Sequence, residues 1–488
     1  MLIENYLLLL NSIKMQRLIL LCLLLLLLKS CGTVNSQERG ALNIEHYEIN
    51  DSLKEFVSFD QKQIALVNAY VVDGTGQAGK ANQSVLLDNG KIVSIGADII
   101  IPDTYEVINV EGKTIIPGIV GVHNHLHIPH FPFIGEVASK MYLASGVTTI
   151  QTCGSASSDK ELELASSIQA MEQLGPYIVA SGPYFTGEGG SQAMIIPRNE
   201  KHIRDTMQHW IQKGISWFKV YRHTKPDDLE IIVDEAHKHN CKVTGHFCSI
   251  TFAEAIKIGI DGIEHGLNSA SDFRKNKDYG VCNGSREYMD ELIINSKKVK
   301  DLQQLIIDSN VFVNSTLAIY ETSVPNRAFA DKRTLRAMSP FLKNQYDERR
   351  ANFDQRENDL KREKRLKKIM EFEYQFYQLG GLLGCGADAG RHNLPGFGDQ
   401  RNFELLREAG FTVEEAIQIM THNGAQILEL PNIGSIEIGK NADLVVLDGL
   451  LNTNPAIIRN VETVFKNGIG YKPSKILETT NGKIGVNL

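Results

Sequence analysis

The sequence predicts an α/β protein built around a (β/α)8 barrel, with a small β-sandwich-like domain formed by both chain ends. Three observations carry this. Apolar, β-branched segments alternate with amphipathic helical ones from about residue 146 to residue 388, the pattern of βαβ units and a parallel sheet. Strand-rich segments lie on both sides of that region. Histidines recur at the ends of the alternating strands, the face on which barrel proteins place their sites.

The 488 residues, 42% of them apolar and 22% charged, have ordinary globular composition. They suit one large barrel plus a minor domain. A formal charge of -7 and a pI near 6.1 leave no basic surplus, so no nucleic-acid partner is expected. An oligomer is compatible with the sequence. The cysteines (Cys22, Cys31, Cys153, Cys241, Cys248, Cys282 and Cys385) show no CxxC spacing. Single buried thiols are therefore expected, not a disulfide framework or a zinc finger.

Residues 18–28 are an almost unbroken leucine run preceded by Lys14 and Arg17, and Met15 is a candidate start. The run is short for a membrane span but suits a signal-peptide core. It ends in Leu28-Lys29-Ser30-Cys31-Gly32, which resembles a bacterial lipoprotein cleavage box despite Lys29. Residues 1–31 thus read as a signal peptide with Cys31 as the lipid-bearing residue; a plain signal peptide cut nearby is the alternative. The expected location is the bacterial cell envelope, by lipid anchor, or the periplasm. Polar residues 32–59 read as a tether.

The first part of the small domain is expected over 60–116, with strands at 62–72, 84–95 and 107–116 and a hairpin turn at Asp88-Asn89-Gly90. Its second part is expected over 431–476, followed by a tail at 477–488. The barrel spans 117–430. Its later strands are read at 146–152, 176–181, 217–221, 242–246, 262–265, 311–317 and 381–388. Helices are read at 159–173, 200–213, 227–239 and 252–258, with a closing pair at 401–409 and 412–428. Residues 267–300 are a polar insertion. Residues 327–379 are strongly charged; Leu366, Ile369, Met370, Phe372, Phe376 and Leu379 keep helical spacing and dock the second half. The first half reads as a solvated helical face serving as scaffold, with a lid or partner contact as the alternative.

His123-Asn124-His125 follows an apolar strand, whose residues i and i+2 project to one side, so both imidazoles can reach one ion. His127 is a weaker candidate on the same face. Lys219 lies in the apolar strand Trp217-Phe218-Lys219-Val220-Tyr221. A buried lysine needs a partner or a changed chemistry: a carbamate bridging two metals, or an ammonium paired with a carboxylate. His246 and His265 end successive strands, and neutral imidazoles suit zinc and similar ions. Asp388, among small residues, can bind metal and take a proton from water; a turn or helix-cap aspartate is the alternative.

The chain resembles the amidohydrolase superfamily, in particular its imidazolonepropionase-like and Xaa-Pro-dipeptidase-like members, over about residues 60–475. The markers are Pro117-Gly118-Ile119-Val120 before the His123-Asn124-His125 motif, Ala144-Ser145-Gly146-Val147-Thr148-Thr149, Phe218-Lys219-Val220-Tyr221, Val243-Thr244-Gly245-His246, Ile263-Glu264-His265-Gly266, Gly386-Ala387-Asp388 and Gly439-Lys440-Asn441-Ala442-Asp443-Leu444. The resemblance implies one or two divalent ions, zinc first. His123, His125 and Asp388 would hold the more buried one, and carbamylated Lys219 would bridge to a second held by His246 and His265. It implies hydrolysis of amide, cyclic-amide or dipeptide bonds in a small-molecule or peptide-like substrate by metal-bound hydroxide, with Asp388 and His265 as catalytic residues. Tyr221 and His223 are candidates for substrate contact. An inactive binding protein on the same scaffold, or a deaminase or decarboxylase, are the alternatives. Gly121 and Ala387 depart from the family pattern, where Asp and Thr or Ser are common.

Overall fold

The computed structural model describes residues 49–486, apart from 129, 132, 286, 328–329, 357–359 and 391. The expected signal segment, Cys22 and Cys31 lie outside the described residues. Of the tether expected over 32–59, only residues 49–59 are described, and they are folded. Asn50 caps a 3-10 helix, Asp51–Phe56, which buries Leu53 and Phe56 and leads into strand β1 (Val57–Phe59).

The small domain continues with β2 (Gln63–Val71), β3 (Lys80–Asp88), β4 (Lys91–Gly96), β5 (Glu106–Asn109) and β6 (Thr114–Pro117). β3 and β4 pair antiparallel across Asn89 and Gly90, at φ 46° and 76°, as a two-residue hairpin requires. The strand expected over 107–116 is two strands. Gly112, at φ 74°, turns the chain between β5 and β6, and both pair with β2.

Eight short strands follow: β7 (Ile119–Asn124), β8 (Val147–Thr152), β9 (Tyr177–Val179), β10 (Trp217–Val220), β11 (Lys242–Gly245), β12 (Gly262–Glu264), β13 (Phe312–Ser315) and β14 (Leu383–Cys385). Each pairs in parallel with its chain neighbour in two arcs, β7–β9 and β10–β14. A Ser181–Trp217 bridge joins β9 to β10. The Asp388 N–H, just past β14, donates to the His123 carbonyl on β7 at 2.8 Å. The protein is thus an α/β barrel with an added β domain. Its strands are almost wholly buried, as expected for parallel strands covered by helices. The helices are locally encoded. Thr251 and Glu254 form a capping box on Phe252–Ile258, which Gly259 ends at φ 105°.

β15 (Leu444–Leu447), β16 (Val461–Lys466) and β17 (Ile469–Tyr471) return to the small domain. Leu444 lies opposite Pro117, so β15 stitches the second part of the chain to the first through β6. The hydrogen-bonded order is β1-β17-β16-β15-β6-β2-β3-β4. The expected tail is packed: Ile484 is buried and exchanges backbone bonds with Ala337 and Ser339.

The charged stretch forms a short helix, Lys332–Ala337, and two longer ones, Pro340–Asp354 and Lys361–Gln378. The last docks through Leu366, Ile369, Met370, Phe372 and Phe376, as its spacing predicts, but Leu379 ends the helix exposed. Truncating either buried phenylalanine would cost roughly 3–5 kcal/mol. The expectation of single thiols fails for one pair. The polar insertion folds back and joins Cys282 to Cys248 in a disulfide across 34 positions; Cys153, Cys241 and Cys385 are buried thiols outside it.

Candidate metal centre

β7 delivers the first two imidazoles. His123 is wholly buried and His125 nearly so, with ring centroids 5.3 Å apart. Asn124 between them braces the loop after β14. It donates to Asp399 Oδ1 at 3.2 Å and accepts the Ala387 N–H at 2.9 Å. A Cβ at Gly121 would lie 2.0 Å from Asn124 Nδ2, so this glycine gives Asn124 its room. Gly386 is equally constrained, since a Cβ there would meet His123 backbone atoms at 2.4–2.6 Å. Asp388, at φ 45°, turns its carboxylate inward: Oδ1 lies 3.1 Å from His125 Nε2 and 3.7 Å from His123 Nε2. The ligand atoms of these three residues fall within 4.8 Å of one another.

Lys219 on β10 is 2% exposed, with Nζ 3.1 Å from His123 Nε2. His246 follows β11 and His265 follows β12, their rings 4.4 Å apart; the His265 ring lies 4.5 Å from that of His123. Strand alternation alone would send Glu264 and His265 to opposite sides. His265 adopts φ 69°, which breaks the alternation and lets both reach the centre.

The donor set fits a divalent transition ion. Burial pushes the His125 imidazolium down to about 4, and pushes those of His246 and His265 well below the ordinary range, so the rings are neutral at neutral pH and able to donate to a metal ion. Buried His246 Nδ1 has no partner among the described residues. His265 Nδ1 lies 2.9 Å from Thr316 Oγ1, leaving Nε2 as its free donor atom. Burial opposes charge on Asp388, but the three histidines around it hold its carboxyl well below the usual range.

Sequence reasoning missed several supports. Glu264 Oε2 lies 2.5 Å from His123 Nδ1 and accepts from Asn314 at 2.9 Å. Its other oxygen accepts from the Cys153 thiol at 3.1 Å. Burial is the largest single influence and raises its carboxyl, but His123, Lys219 and Asn314 together bring it down to about 2. Its one sequence signal is a carboxylate inside an apolar strand end. The Tyr184 hydroxyl lies 3.3 Å from both His125 Nδ1 and His127 Nε2, which gives His127 a partner outside the ligand group. The Tyr221 ring packs tilted against that of His246, centroids 4.7 Å apart, and lines the cleft. His223, expected beside it, does not line the cleft. The chain turns after β10, and Arg222 takes that wall. The cleft has a volume of about 890 Å³, and helix Pro340–Asp354 contributes Arg349 and Phe353 to it, so that helix is not merely a solvated face.

The amidohydrolase family profile matches residues 114–365 and 384–470, more than half of the chain. The chain belongs to the amidohydrolase family. Among curated relatives, this amidohydrolase is 49% identical to a dihydroorotase of Mycobacterium tuberculosis over 45 residues, 9% of this chain and 10% of that one. It is 31% identical to a dihydroorotase of Aquifex aeolicus over 90 residues, 18% and 21% of the two chains. These matches span about a tenth to a fifth of the relatives' length. Its fold is similar to that of a Xaa-Pro dipeptidase solved with methionine in its active site. There the TM-score is 0.61 at 19% identity, covering 84% of this chain and 100% of that one. It is also similar to A. niger ochratoxinase, with a TM-score of 0.60 at 16% identity, covering 85% and 96%.

Proposed function

We propose that this amidohydrolase is a metal-dependent hydrolase of carbon–nitrogen bonds in amide, cyclic-amide or dipeptide-like substrates. One observation carries the reading: His123, His125, Lys219, His246, His265 and Asp388 converge from five strand ends on one point at the foot of the cleft. His123, His125 and Asp388 would hold one ion, zinc suiting the donors, and Lys219, as a carbamate, with His246 and His265 would hold a second. A divalent ion bound there polarises a carbonyl and lowers the pKa of water. The residues do the rest. Asp388, kept ionised by its histidines, accepts the proton of the attacking water and passes it to the leaving nitrogen. Tyr221 borders the substrate. Relatives named as a dihydroorotase and a Xaa-Pro dipeptidase agree with this bond class. The same proposal has the mature chain exported and lipid-anchored, resting on the leucine run, Cys31 and a disulfide suited to an oxidising compartment.

The test is metal analysis of the purified chain with a panel of dipeptides and cyclic amides. About one to two equivalents of a divalent transition metal and turnover of at least one amide are expected. His246→Ala and His265→Ala should each lose metal and activity. Unchanged metal content and turnover in both would remove them from the centre. A metal-loaded chain that binds amides without cleaving any would point to a binding protein on this scaffold.

A further inference from the structure

Asp388 holds a left-handed backbone, at φ 45°. Residues other than glycine rarely keep that conformation without outside support. Three buried asparagines on three segments supply it: Asn124 between the two histidines of β7, Asn393 in the turn after Asp388, and Asn402 on helix Phe397–Ala409. The Ala387 N–H donates to Asn124 Oδ1 at 2.9 Å, and the Ala387 carbonyl accepts from Asn393 Nδ2. The Gly386 carbonyl accepts from Asn402 Nδ2 at 2.5 Å. The Gly386 N–H donates to the Ser315 carbonyl at 3.1 Å, so every backbone polar group of the two residues before Asp388 is engaged.

The asparagines are fixed at their far ends as well. Asn402 Oδ1 accepts the Ala318 N–H at 2.7 Å, and Asn124 Nδ2 donates to Asp399 Oδ1 at 3.2 Å. Asp399 Oδ2 in turn accepts the Gly396 N–H at 3.1 Å. A backbone N–H only donates, so neither amide can turn over without setting donor against donor. Asn393 is closed into its turn by two backbone bonds with Gly390, each 2.8 Å. A Cβ at Gly398 would lie 2.4 Å from Asn393 Oδ1, so that glycine gives Asn393 its room. Buried peptide groups need partners, but partners drawn from three separate segments also fix the direction in which the chain enters Asp388. We infer that Asn124, Asn393 and Asn402 are positioning residues, which clamp the 386–387 segment so that the fold itself holds the Asp388 carboxylate towards His123 and His125. The inference rests on the proposed metal centre, in which Asp388 is a ligand and a proton carrier. A carboxylate placed in advance spares the site a rearrangement of its loop.

The experiment is a double-mutant cycle on the full chain, read by zinc affinity in chelator competition. N393A and N402A should each weaken zinc binding by at least about tenfold. In a D388A background the same substitutions should change the affinity by less than about twofold, because the carboxylate they aim is gone. N393D and N402D keep the volume but set an oxygen against a carbonyl, and supply the same comparison if an alanine variant does not fold. On the best amide of the panel above, the single variants should lower kcat by at least about tenfold with KM nearly unchanged. A third reading needs neither zinc nor turnover. Hydrogen exchange at the Ala387 amide should be at least about tenfold faster in N393A and N402A, although its own acceptor, Asn124, is untouched. Equal losses of zinc affinity with and without the Asp388 carboxylate would make the asparagines packing alone and overturn the inference. Wild-type affinity and exchange in both single variants would do the same. Coupling in the cycle without cleavage of any amide sinks the hydrolase reading alone, whereas cleavage by the wild type without coupling sinks this inference alone. If the wild type binds no zinc, the metal centre falls and the exchange result decides the clamp.

Discussion

At Lys219, burial and charge pull in opposite directions. Burial disfavours the ammonium, but Cys153, Glu264 and Asp388 outweigh it and hold the amine above its ordinary range. Two dications about 3.5–4 Å apart would reverse that balance, since they repel a third positive charge and favour a bridging anion. Lys219→Ala should therefore lower metal content and cut turnover by at least about tenfold, with partial rescue by short carboxylates in the buffer. Lys219→Arg should not rescue, because a guanidinium forms no carbamate. Two retained metals and normal turnover in Lys219→Ala would leave a mononuclear centre, with His265 acting on the water. Glu264 makes a second prediction at this scale. It holds the Nδ1 side of His123, which turns Nε2 towards the proposed metal site. Glu264→Gln keeps the shape and removes the charge, so metal affinity should fall roughly 10- to 100-fold in a chelator competition. An unchanged affinity would reduce Glu264 to packing.

Between residues and whole molecule, the elements show what the sequence could and could not disclose. His123, His125, Lys219 and His246 were legible because strand phase and strand ends are written in apolar runs. Glu264 and Tyr184 were not. Glu264 depends on the left-handed turn at His265, and Tyr184 on a loop outside any strand pattern. His223 was misplaced for the same reason, since past β10 the chain no longer alternates. The disulfide was hidden because a long insertion, not spacing, brings Cys282 to Cys248. Helix Lys361–Gln378 carries a prediction of its own. It buries Glu373, whose Oε2 accepts from Ser315 at 2.7 Å while Oε1 has no partner among the described residues. Burial raises this carboxyl from 4.5 to about 8. Between those values the folded chain holds a proton that the unfolded chain has released, so this residue's contribution falls as pH rises through the window. Glu373→Gln should be more stable than wild type at pH 8 by on the order of 1–3 kcal/mol, with the gap closing towards pH 4.5. A gap independent of pH in denaturant melts would show that Glu373 is ionised in the fold.

For the whole molecule, the open question is where this barrel works. Among the described residues no helix is long and apolar enough to cross a membrane. The proposed lipoprotein address rests on the leucine run at 18–28, as an apolar core, and on Cys31, as an acceptor thiol. The Cys248–Cys282 disulfide is a second, independent sign, because such bonds persist outside the reducing cytoplasm. The two signs can be separated. Expressed in a bacterium with its leader intact, the chain should sediment with membranes and incorporate labelled palmitate. Cys31→Ala should abolish the label and release the protein while leaving metal content unchanged, since the anchor lies far along the chain from every ligand. Blocking free thiols before mass analysis should leave Cys248 and Cys282 unmodified in both forms. A Cys31→Ala chain that still incorporates palmitate would end the lipoprotein assignment. Alkylation of Cys248 and Cys282 in the native exported protein would remove the second support, and a cytoplasmic amidohydrolase would then be the better account.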